Sequence, residues 1–188
     1  MKNKKVQQVF LYIIIISSFS LLNACSVKIV QPYSPSILMS GKGNVSVDLF
    51  RYLPAEEGKV EKNQIDTGKG LNPFYTMDNV DKVVTDAVMK ELKYIGYTLD
   101  SSSMIIISGD ILEYSCDYIG INADFLTKIR FFIYDNSNGK RHEIYSKVHE
   151  GKVSFNKLGG ASGEATHLTL SKAIESFIKD AQKGKILH

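Results

Sequence analysis

The stretch that decides the fold is residues 79–96, NVDKVVTDAVMKELKYIG. Its apolar side chains recur at the three- and four-residue spacing of one helix face, from Val80 through Val84 and Val88 to Ile95. Gly96 suits the left-handed position that commonly follows a helix. Valines are poor helix formers because their β-branched side chains lose rotational freedom in a helix. The stretch therefore predicts an amphipathic helix that depends on packing against a sheet.

Extended segments follow this helix along the chain. The apolar run Met104 to Ile107 is typical of a central strand that is covered on both faces. Phe125 to Tyr134 alternates between the two faces of a second strand, and the turn-forming cluster Asp135 to Gly139 predicts a hairpin to a third strand. Helical spacing returns from Leu170 to Ala181. With a strand at Val45 to Leu49, the predicted order is β-α-β-β-β-α.

The predicted fold class is α+β, with a mixed or antiparallel sheet of about four strands and two helices packed on one face. The other face would carry polar and aromatic side chains, namely Lys128, Arg130, Tyr134, Tyr145 and Lys147. One interpretation is a solvated face on which tyrosines pack over lysine stems. The other is a contact surface, because tyrosine and arginine are enriched where proteins meet.

The N-terminal residues have the features of an export signal. A basic start is followed by the thirteen residues from Phe10 to Leu22, which are mainly apolar, and the block closes with Leu22-Asn23-Ala24-Cys25. A helix that crosses a membrane needs roughly 20 apolar residues, so this run is short for one. A plain signal cleaved after Ala24 or a retained anchor is the alternative to a lipoprotein signal.

The closing residues resemble the lipobox of bacterial lipoproteins, although Asn23 stands where that family usually has a small or β-branched residue. The resemblance implies cleavage before Cys25 and attachment of a diacylglyceryl group and an N-acyl chain to that cysteine. Several acyl chains would hold the protein firmly, since one chain alone gives only marginal binding. In the lipoproteins that this sequence resembles, a residue other than aspartate after the lipidated cysteine permits transfer of the protein to the outer membrane. Ser26 occupies that position, so the resemblance also implies an outer-membrane protein that faces the periplasm.

This interpretation divides the chain into three parts. Residues 1–24 are a lipoprotein signal peptide, residues 25–44 are a lipidated N-terminus and tether, and residues 45–188 are a single α+β periplasmic domain. Two prolines interrupt the tether, although the apolar residues near position 27 are compatible with a short edge strand.

Charge argues against nucleic acid as a partner. The full chain has 23 basic and 20 acidic residues, and the three lysines near its start belong to the predicted signal. The mature chain is therefore formally neutral, and it has no long basic run to follow phosphates. A neutral body held at a membrane suits a protein partner better than a polyanion.

The chain has two cysteines. If Cys25 carries lipid, no intramolecular disulfide forms, and Cys116 is expected to be a small side chain at the end of a strand. The alternative is an exposed thiol that joins two molecules in an oxidising compartment.

No arrangement of residues in the sequence indicates catalysis or metal binding. His142 and His149 are separated by an odd number of residues, which places them on opposite faces of a regular strand unless a bulge intervenes. The glycine-rich residues 159–163 lack the ending of a phosphate-binding loop. Four acidic residues near one end of the sheet lack the spacing of a calcium loop, namely Asp110, Glu113, Asp117 and Asp124. We therefore predict no enzyme activity, no cofactor and no metal site.

The charged, glycine-rich residues 53–74 show no regular pattern and predict a long loop, which in a compact domain is either functional or mobile. This loop is the first place where we expect a partner site.

The chain as a whole resembles the YajG-like family of uncharacterised bacterial lipoproteins. The resemblance depends on four segments: the block ending at Cys25, the helix ending in Leu92-Lys93-Tyr94-Ile95-Gly96-Tyr97, the strand Ile105-Ile106-Ile107 with Gly109, and the helix from Leu168 to Ala181. Together with the tether, the neutral body, one open sheet face and no catalytic arrangement, the resemblance leads us to expect a non-enzymatic envelope lipoprotein that serves as an adaptor or assembly factor for another envelope protein. The alternative is an auxiliary lipoprotein of an ABC-type lipid transport system, with an apolar groove between helices and sheet. A third, weaker alternative is an enzyme acting on the cell wall.

Overall fold

The computed structural model describes residues 27–29, 33–68, 73–119, 122–156 and 162–188. Cys25 and the predicted signal at 1–24 lie outside the described residues. The strands and helices are β1 (Val27–Ile29), β2 (Asn44–Val47), β3 (Arg51–Tyr52), α1 (Leu53–Glu56), β4 (Gln64–Ile65), β5 (Phe74–Thr76), α2 (Val80–Tyr94), β6 (Thr98–Leu99), β7 (Ile105–Ile119), β8 (Asn122–Asp135), β9 (His142–Asn156) and α3 (Ser162–Lys183).

The described strands form two sheets. The larger has six strands in the order β6-β2-β7-β8-β9, with β3 also pairing with β7. The smaller has the order β1-β5-β4. The mixed α+β class is confirmed, but the prediction of about four strands is wrong. The strands that were not predicted are only two or three residues long, and such short elements leave no periodic pattern to read.

The meander β7-β8-β9 forms the centre of the larger sheet. All three strands are antiparallel and have 14 or 15 residues each. The hairpin between β8 and β9 turns at the predicted cluster, where Gly139 has a φ of 69°. The other elements contact these long strands: β2 and β3 pair with β7, and α3 packs on β8 and β9.

Helix α2 confirms the interpretation of residues 79–96. It has Ile95 as its C-cap, and Gly96 follows with a φ of 111°. Its packing against the larger sheet is fixed near Phe50, whose backbone N–H donates to the Thr85 hydroxyl at 3.0 Å. Val84 and Val88 are fully buried, which explains how a valine-rich helix remains stable.

Both long helices lie on the same face of the larger sheet. Phe131 of β8 stacks on Phe177 of α3 with ring centroids 4.1 Å apart, and its edge meets Phe50 at 5.6 Å. All three rings are 1 % exposed or less. The backbone of Phe50 is bonded to Thr85 of α2. The row of three aromatic rings therefore connects the part of the core under α2 with the part under α3.

Residues 33–42, which we call the N-terminal strap, run across the outer side of α2 and α3. Glu91 of α2 is fully buried, and it accepts hydrogen bonds from the Tyr33 hydroxyl and from the backbone N–H groups of Ser36 and Ile37. The Tyr33 ring stacks on His167 of α3 with centroids 4.3 Å apart. The described part of the 25–44 segment is thus packed against the domain from Tyr33 onward.

The predicted long loop at 53–74 contains structure. Helix α1, strand β4 and the first residue of β5 fall inside it, and Ile65 is 1 % exposed. The prediction of an unpatterned loop is therefore wrong for the described residues 53–68 and 73–74. The segment supplies β4 and the first residue of β5 to the smaller sheet, to which the N-terminal strand β1 also belongs.

Candidate protein-contact surface

The larger sheet has one face turned away from the helices, which we call the open sheet face. On β8 it carries Lys128, Arg130, Phe132 and Tyr134, whereas the alternating residues Ile129, Phe131 and Ile133 are fully buried beneath the helices. This alternation is the period of a strand with one covered face and one uncovered face. The prediction that Lys128, Arg130 and Tyr134 share the open face is confirmed.

An apolar and aromatic cluster occupies the half of the open sheet face nearest the β8–β9 turn. Phe132 and Tyr134 stack with ring centroids 6.1 Å apart. On the neighbouring strand, Val148 pairs with Arg130 on the same face and is 45 % exposed. Large apolar side chains grouped together on a surface commonly mark a site of interaction, whereas scattered ones do not.

Arginines frame this cluster. The Arg51 Nε donates to Oδ1 of the 8 % exposed Asp110 at 2.9 Å, and the hydrogen bond raises the pKa of the Arg51 guanidinium. The Arg141 Nη1 donates to Oδ2 of Asp48 at 2.6 Å. Both guanidinium groups act electrostatically on Tyr134, whose pKa is raised mainly by burial. A tyrosine between fixed arginines is the composition that protein contact surfaces favour.

The other half of the open sheet face is charged. Lys128 lies between two carboxylates, with its Nζ 3.9 Å from Glu113 and 3.8 Å from Glu150. Further along, the Ser154 hydroxyl donates to Asp124 at 2.5 Å, and this hydrogen bond lowers the pKa of the Asp124 carboxyl. Exposed pairs of this kind contribute little to stability. They make this half of the face well hydrated, in contrast with the apolar cluster.

The prediction that Tyr145 and Lys147 lie on the open face is wrong. The pairing of β8 with β9 shifts between Ile133 and Tyr134, which leaves Ile144 as an extra residue in β9. Relative to a regular continuation from the hairpin turn, a bulge of this kind moves every side chain that follows it to the opposite face. Tyr145 is 6 % exposed and, like Lys147, faces α3.

A hydrogen-bonded chain connects β9 to α3 at this position. The Tyr145 hydroxyl donates to Asp180 Oδ2 at 2.8 Å and lies 2.6 Å from His149 Nε2. Because its only proton goes to Asp180, the tyrosine oxygen accepts from Nε2–H, and His149 Nδ1 is left to accept from the Ser176 hydroxyl at 2.9 Å. Lys147 Nζ donates to the same Asp180 oxygen at 2.7 Å. The chain fixes the edge strand to the helix.

Burial and charge shift the pKa values of the side chains in this hydrogen-bonded group, and the directions of the shifts agree with the hydrogen bonds. The pKa of Asp180 is lowered by the hydrogen bonds from Lys147 and then Tyr145. The pKa of Tyr145 is raised by burial and then by its bond to Asp180. Burial lowers the pKa of His149, so its neutral form is favoured, as the hydrogen-bond assignment requires. Sequence reasoning missed this group, although the even spacing of Tyr145 and His149 and the four-residue spacing of Ser176 and Asp180 were readable signals.

The histidines and acidic residues that the sequence analysis weighed as possible ligands do not form one site. His149 is buried and His142 is exposed, and within the described ranges no three His, Cys, Asp or Glu side chains form a cluster that would hold a metal ion. Asp110 contacts Arg51, and Glu113 contacts Lys128 and Ser115. The carboxylates of Asp117 and Asp124 lie at paired positions of β7 and β8.

Cys116 is 1 % exposed, so the alternative of an exposed thiol that joins two molecules is wrong. Its inward position follows from the alternation of β7 after the register shift between Ile111 and Glu113. The glycine-rich residues 159–161 lie outside the described residues.

Side chains of the helices and the sheet pack against each other where the two layers meet. Phe131, Phe177 and Ile174 are completely buried there, and the Phe131 and Phe177 rings are stacked. Among the described helices, none has both the length and the hydropathy needed to span a membrane.

No protein-family model and no curated protein sequence matches the chain. Its fold is similar to that of protein XCC0632 from Xanthomonas campestris, assigned to family DUF330, with a TM-score of 0.65 over 86 % of this chain and 99 % of that one. The identity is 10 %, so the likeness concerns the fold alone.

Two weaker similarities have TM-scores too low to support an argument. The hypothetical protein CT253 from Chlamydia trachomatis has a TM-score of 0.49 at 11 % identity, over 77 % of this chain and 95 % of that one. A minor lipoprotein from Acinetobacter baumannii has a TM-score of 0.40 at 10 % identity, over 80 % of this chain and 96 % of that one. The names of the three proteins specify no enzymatic activity.

Proposed function

We propose that this chain is a non-enzymatic, lipid-anchored lipoprotein of the bacterial cell envelope that binds another envelope protein through its open sheet face. The single observation that carries the binding role is the cluster of the half-buried Phe132 and Tyr134 with the exposed Val148, framed by arginines held at carboxylates. The surface combines the residue types that anchor protein contacts with a charged, hydrated margin.

The lipid anchor is the second part of the proposal. It is supported by the basic start, the short apolar run and the cysteine that follows Ala24. With Ser26 after the cysteine, the outer membrane facing the periplasm is the proposed location. The resemblance of the four segments to the YajG-like lipoproteins points in the same direction and belongs to the same proposal.

Photo-crosslinking in living cells tests the binding role. Benzoylphenylalanine is placed at Phe132 in one strain and at Tyr94 in a matched control, because Tyr94 is a 55 % exposed aromatic residue on the helix side. The proposal expects a defined protein adduct from position 132 that position 94 does not give. Equal adducts from both positions, or none from position 132, would contradict it.

Labelled palmitate tests the anchor. The wild-type chain is expected to take up label and to remain with membranes in carbonate, and globomycin is expected to cause the precursor to accumulate. A Cys25→Ala variant should take up no label. A wild-type chain without acyl groups would rule out the anchor, and release of muropeptide fragments by the purified protein would rule out the non-enzymatic role.

A further inference from the structure

The described fold begins very close to the proposed lipid attachment site. Strand β1 starts at Val27, two residues after Cys25. Two residues span at most roughly 7 Å, even when fully extended. A flexible tether of many residues would let the domain take any orientation, but a connection this short leaves little freedom.

The direction of β1 determines which end of the molecule is attached. β1 is parallel to β5, with Val27 beside Phe74, and β5 is antiparallel to β4. The chain after β4 then bridges in parallel to β7, with Asp66 beside Ser115. Through these pairings Val27 lies level with Tyr114 of β7, the chain before Val27 points toward the end of β7 at Ile119, and β1 runs away from that end.

The N-terminal strap fixes this arrangement further along the chain. Tyr33 bonds to Glu91 of α2, and the Ser36 hydroxyl lies 2.9 Å from the Ser171 hydroxyl of α3. At the far end, the Gly41 N–H donates to the Ile95 carbonyl at 2.7 Å. The strap that follows β1 in the chain is therefore held to both long helices.

We propose that the end of the domain that carries Asp66 and Asp117 faces the phospholipid headgroups and that the β8–β9 turn points away from the bilayer. This inference rests on the lipid anchor of the proposed function. Tyr114 pairs with Thr127, and β8 rises roughly 26 Å from Thr127 to its end at Asp135, so the β8–β9 turn would lie farther from the membrane than Val27 by about that length. The apolar cluster around Tyr134 would then be presented away from the bilayer, where a partner in the periplasm can reach it.

The membrane contact would come from the covalent connection and not from charge. Asp66 and Asp117 at the proximal end are acidic, and acidic side chains do not attract anionic lipids. The orientation is therefore expected to depend on the length of the chain between residue 25 and β1.

Tryptophan fluorescence tests the orientation, since the chain contains no tryptophan of its own. Single substitutions are made at the exposed proximal positions Asp117→Trp and Asn122→Trp and at the exposed distal position Asn138→Trp. The full acylated chain is reconstituted into vesicles of phosphatidylethanolamine and phosphatidylglycerol that contain a headgroup spin-labelled lipid. We expect the fluorescence of both proximal tryptophans to be quenched several-fold more than that of the distal one.

The control is a long Gly-Ser insertion between Ser26 and Val27, which is expected to remove most of this difference. The mass of the N-terminal peptide is measured in every preparation. An acylated chain with equal quenching at the proximal and distal positions, or with a difference that survives the insertion, overturns the orientation but leaves the anchor standing. A chain without acyl groups overturns the anchor and this inference together.

Discussion

The Tyr33 hydroxyl donates a hydrogen bond to Oε1 of Glu91 across 2.5 Å, and it thereby joins the N-terminal strap to a carboxylate that has no exposed surface. The same carboxylate accepts from two backbone N–H groups of the strap. Burial, followed by this bond to Glu91, raises the pKa of Tyr33. The tyrosine is therefore a neutral donor throughout the physiological range.

Replacing Glu91 should destabilise the protein strongly. In Glu91→Ala, three donors of the strap lose their acceptor inside the fold, and we expect a loss of about 3 kcal/mol in the free energy of unfolding. Asp86→Ala, on the exposed side of the same helix, is the control and should change stability by less than about 0.5 kcal/mol. Urea unfolding of the two variants measures this difference in stability. Equal unfolding midpoints for Glu91→Ala and Asp86→Ala would show that the strap is not held by Glu91.

Gly151 in β9 should tolerate no side chain. A Cβ built there would lie 1.9 Å from the Thr169 carbonyl oxygen of α3, and this contact involves backbone on both sides. Gly151→Ala is expected to cost about 3 kcal/mol or more. Gly58 has positive φ but open space around it, so Gly58→Ala should cost only about 1 kcal/mol. Thermal unfolding of both variants measures the difference, and similar costs would mean that α3 can move away from β9.

Changing the centre of the open sheet face should affect binding but not folding. Val148→Lys places a charge in the apolar cluster at a position that is already 45 % exposed, so stability should change by less than about 0.5 kcal/mol. The yield of the adduct from the probe at position 132 should fall at least about tenfold, as expected for the loss of a central contact. Tyr94→Lys on the helix side is the control. A Val148→Lys variant with an unchanged adduct would exclude the cluster as the contact.

Stability should fall as the pH decreases through the range in which histidine titrates. Burial lowers the pKa of His149 in the folded state, so the unfolded chain takes up a proton first, near about pH 6.5. The contribution of neutral His149 to the free energy of unfolding is therefore complete above that pH and is lost as the pH falls below it. The groups around His149 are Tyr145, Ser176, Lys147 and Asp180, and Asp180 partly opposes the shift.

Urea unfolding of the wild type and of His149→Gln, between about pH 7.5 and about pH 5, tests this pH dependence. The variant should be less stable at the upper pH and should lose less stability on acidification, because its side chain does not titrate. Parallel pH profiles for the two proteins would assign the acid sensitivity to other groups.

The sequence allowed the long, periodic elements and the short strand at Val45 to be predicted, whereas β3, β4 and β6 showed no pattern that predicts a strand. Helix α2 and the β8–β9 turn appear where the spacing of valines and the cluster ending at Gly139 placed them. Helix α3 begins at Ser162, several residues before the apolar spacing from Leu170 that predicted it. Strands of two residues are specified by their neighbours in space, and such neighbours are not visible along the chain.

The contact surface was predicted in part, for a similar reason. Alternation along β8 correctly assigned Arg130 and Tyr134 to the open face. In β9, a single extra residue at Ile144 reversed the assignment of Tyr145, and no residue type in that strand signals the bulge. The role of Glu91 was equally hidden, because its partners lie in a segment that contains prolines and resembles a tether.

The strap also has an evolutionary consequence. It contacts Glu91, Ser171, Ile95 and His188 in this order along its length. The last contact is a 2.6 Å hydrogen bond from the Lys42 N–H to the His188 carbonyl. Inserting or deleting one residue between positions 33 and 42 would break this sequence of contacts for everything that follows. Among descendants of a common ancestor, changes in length should collect in the solvent-facing turn at 136–141 and be missing from the strap.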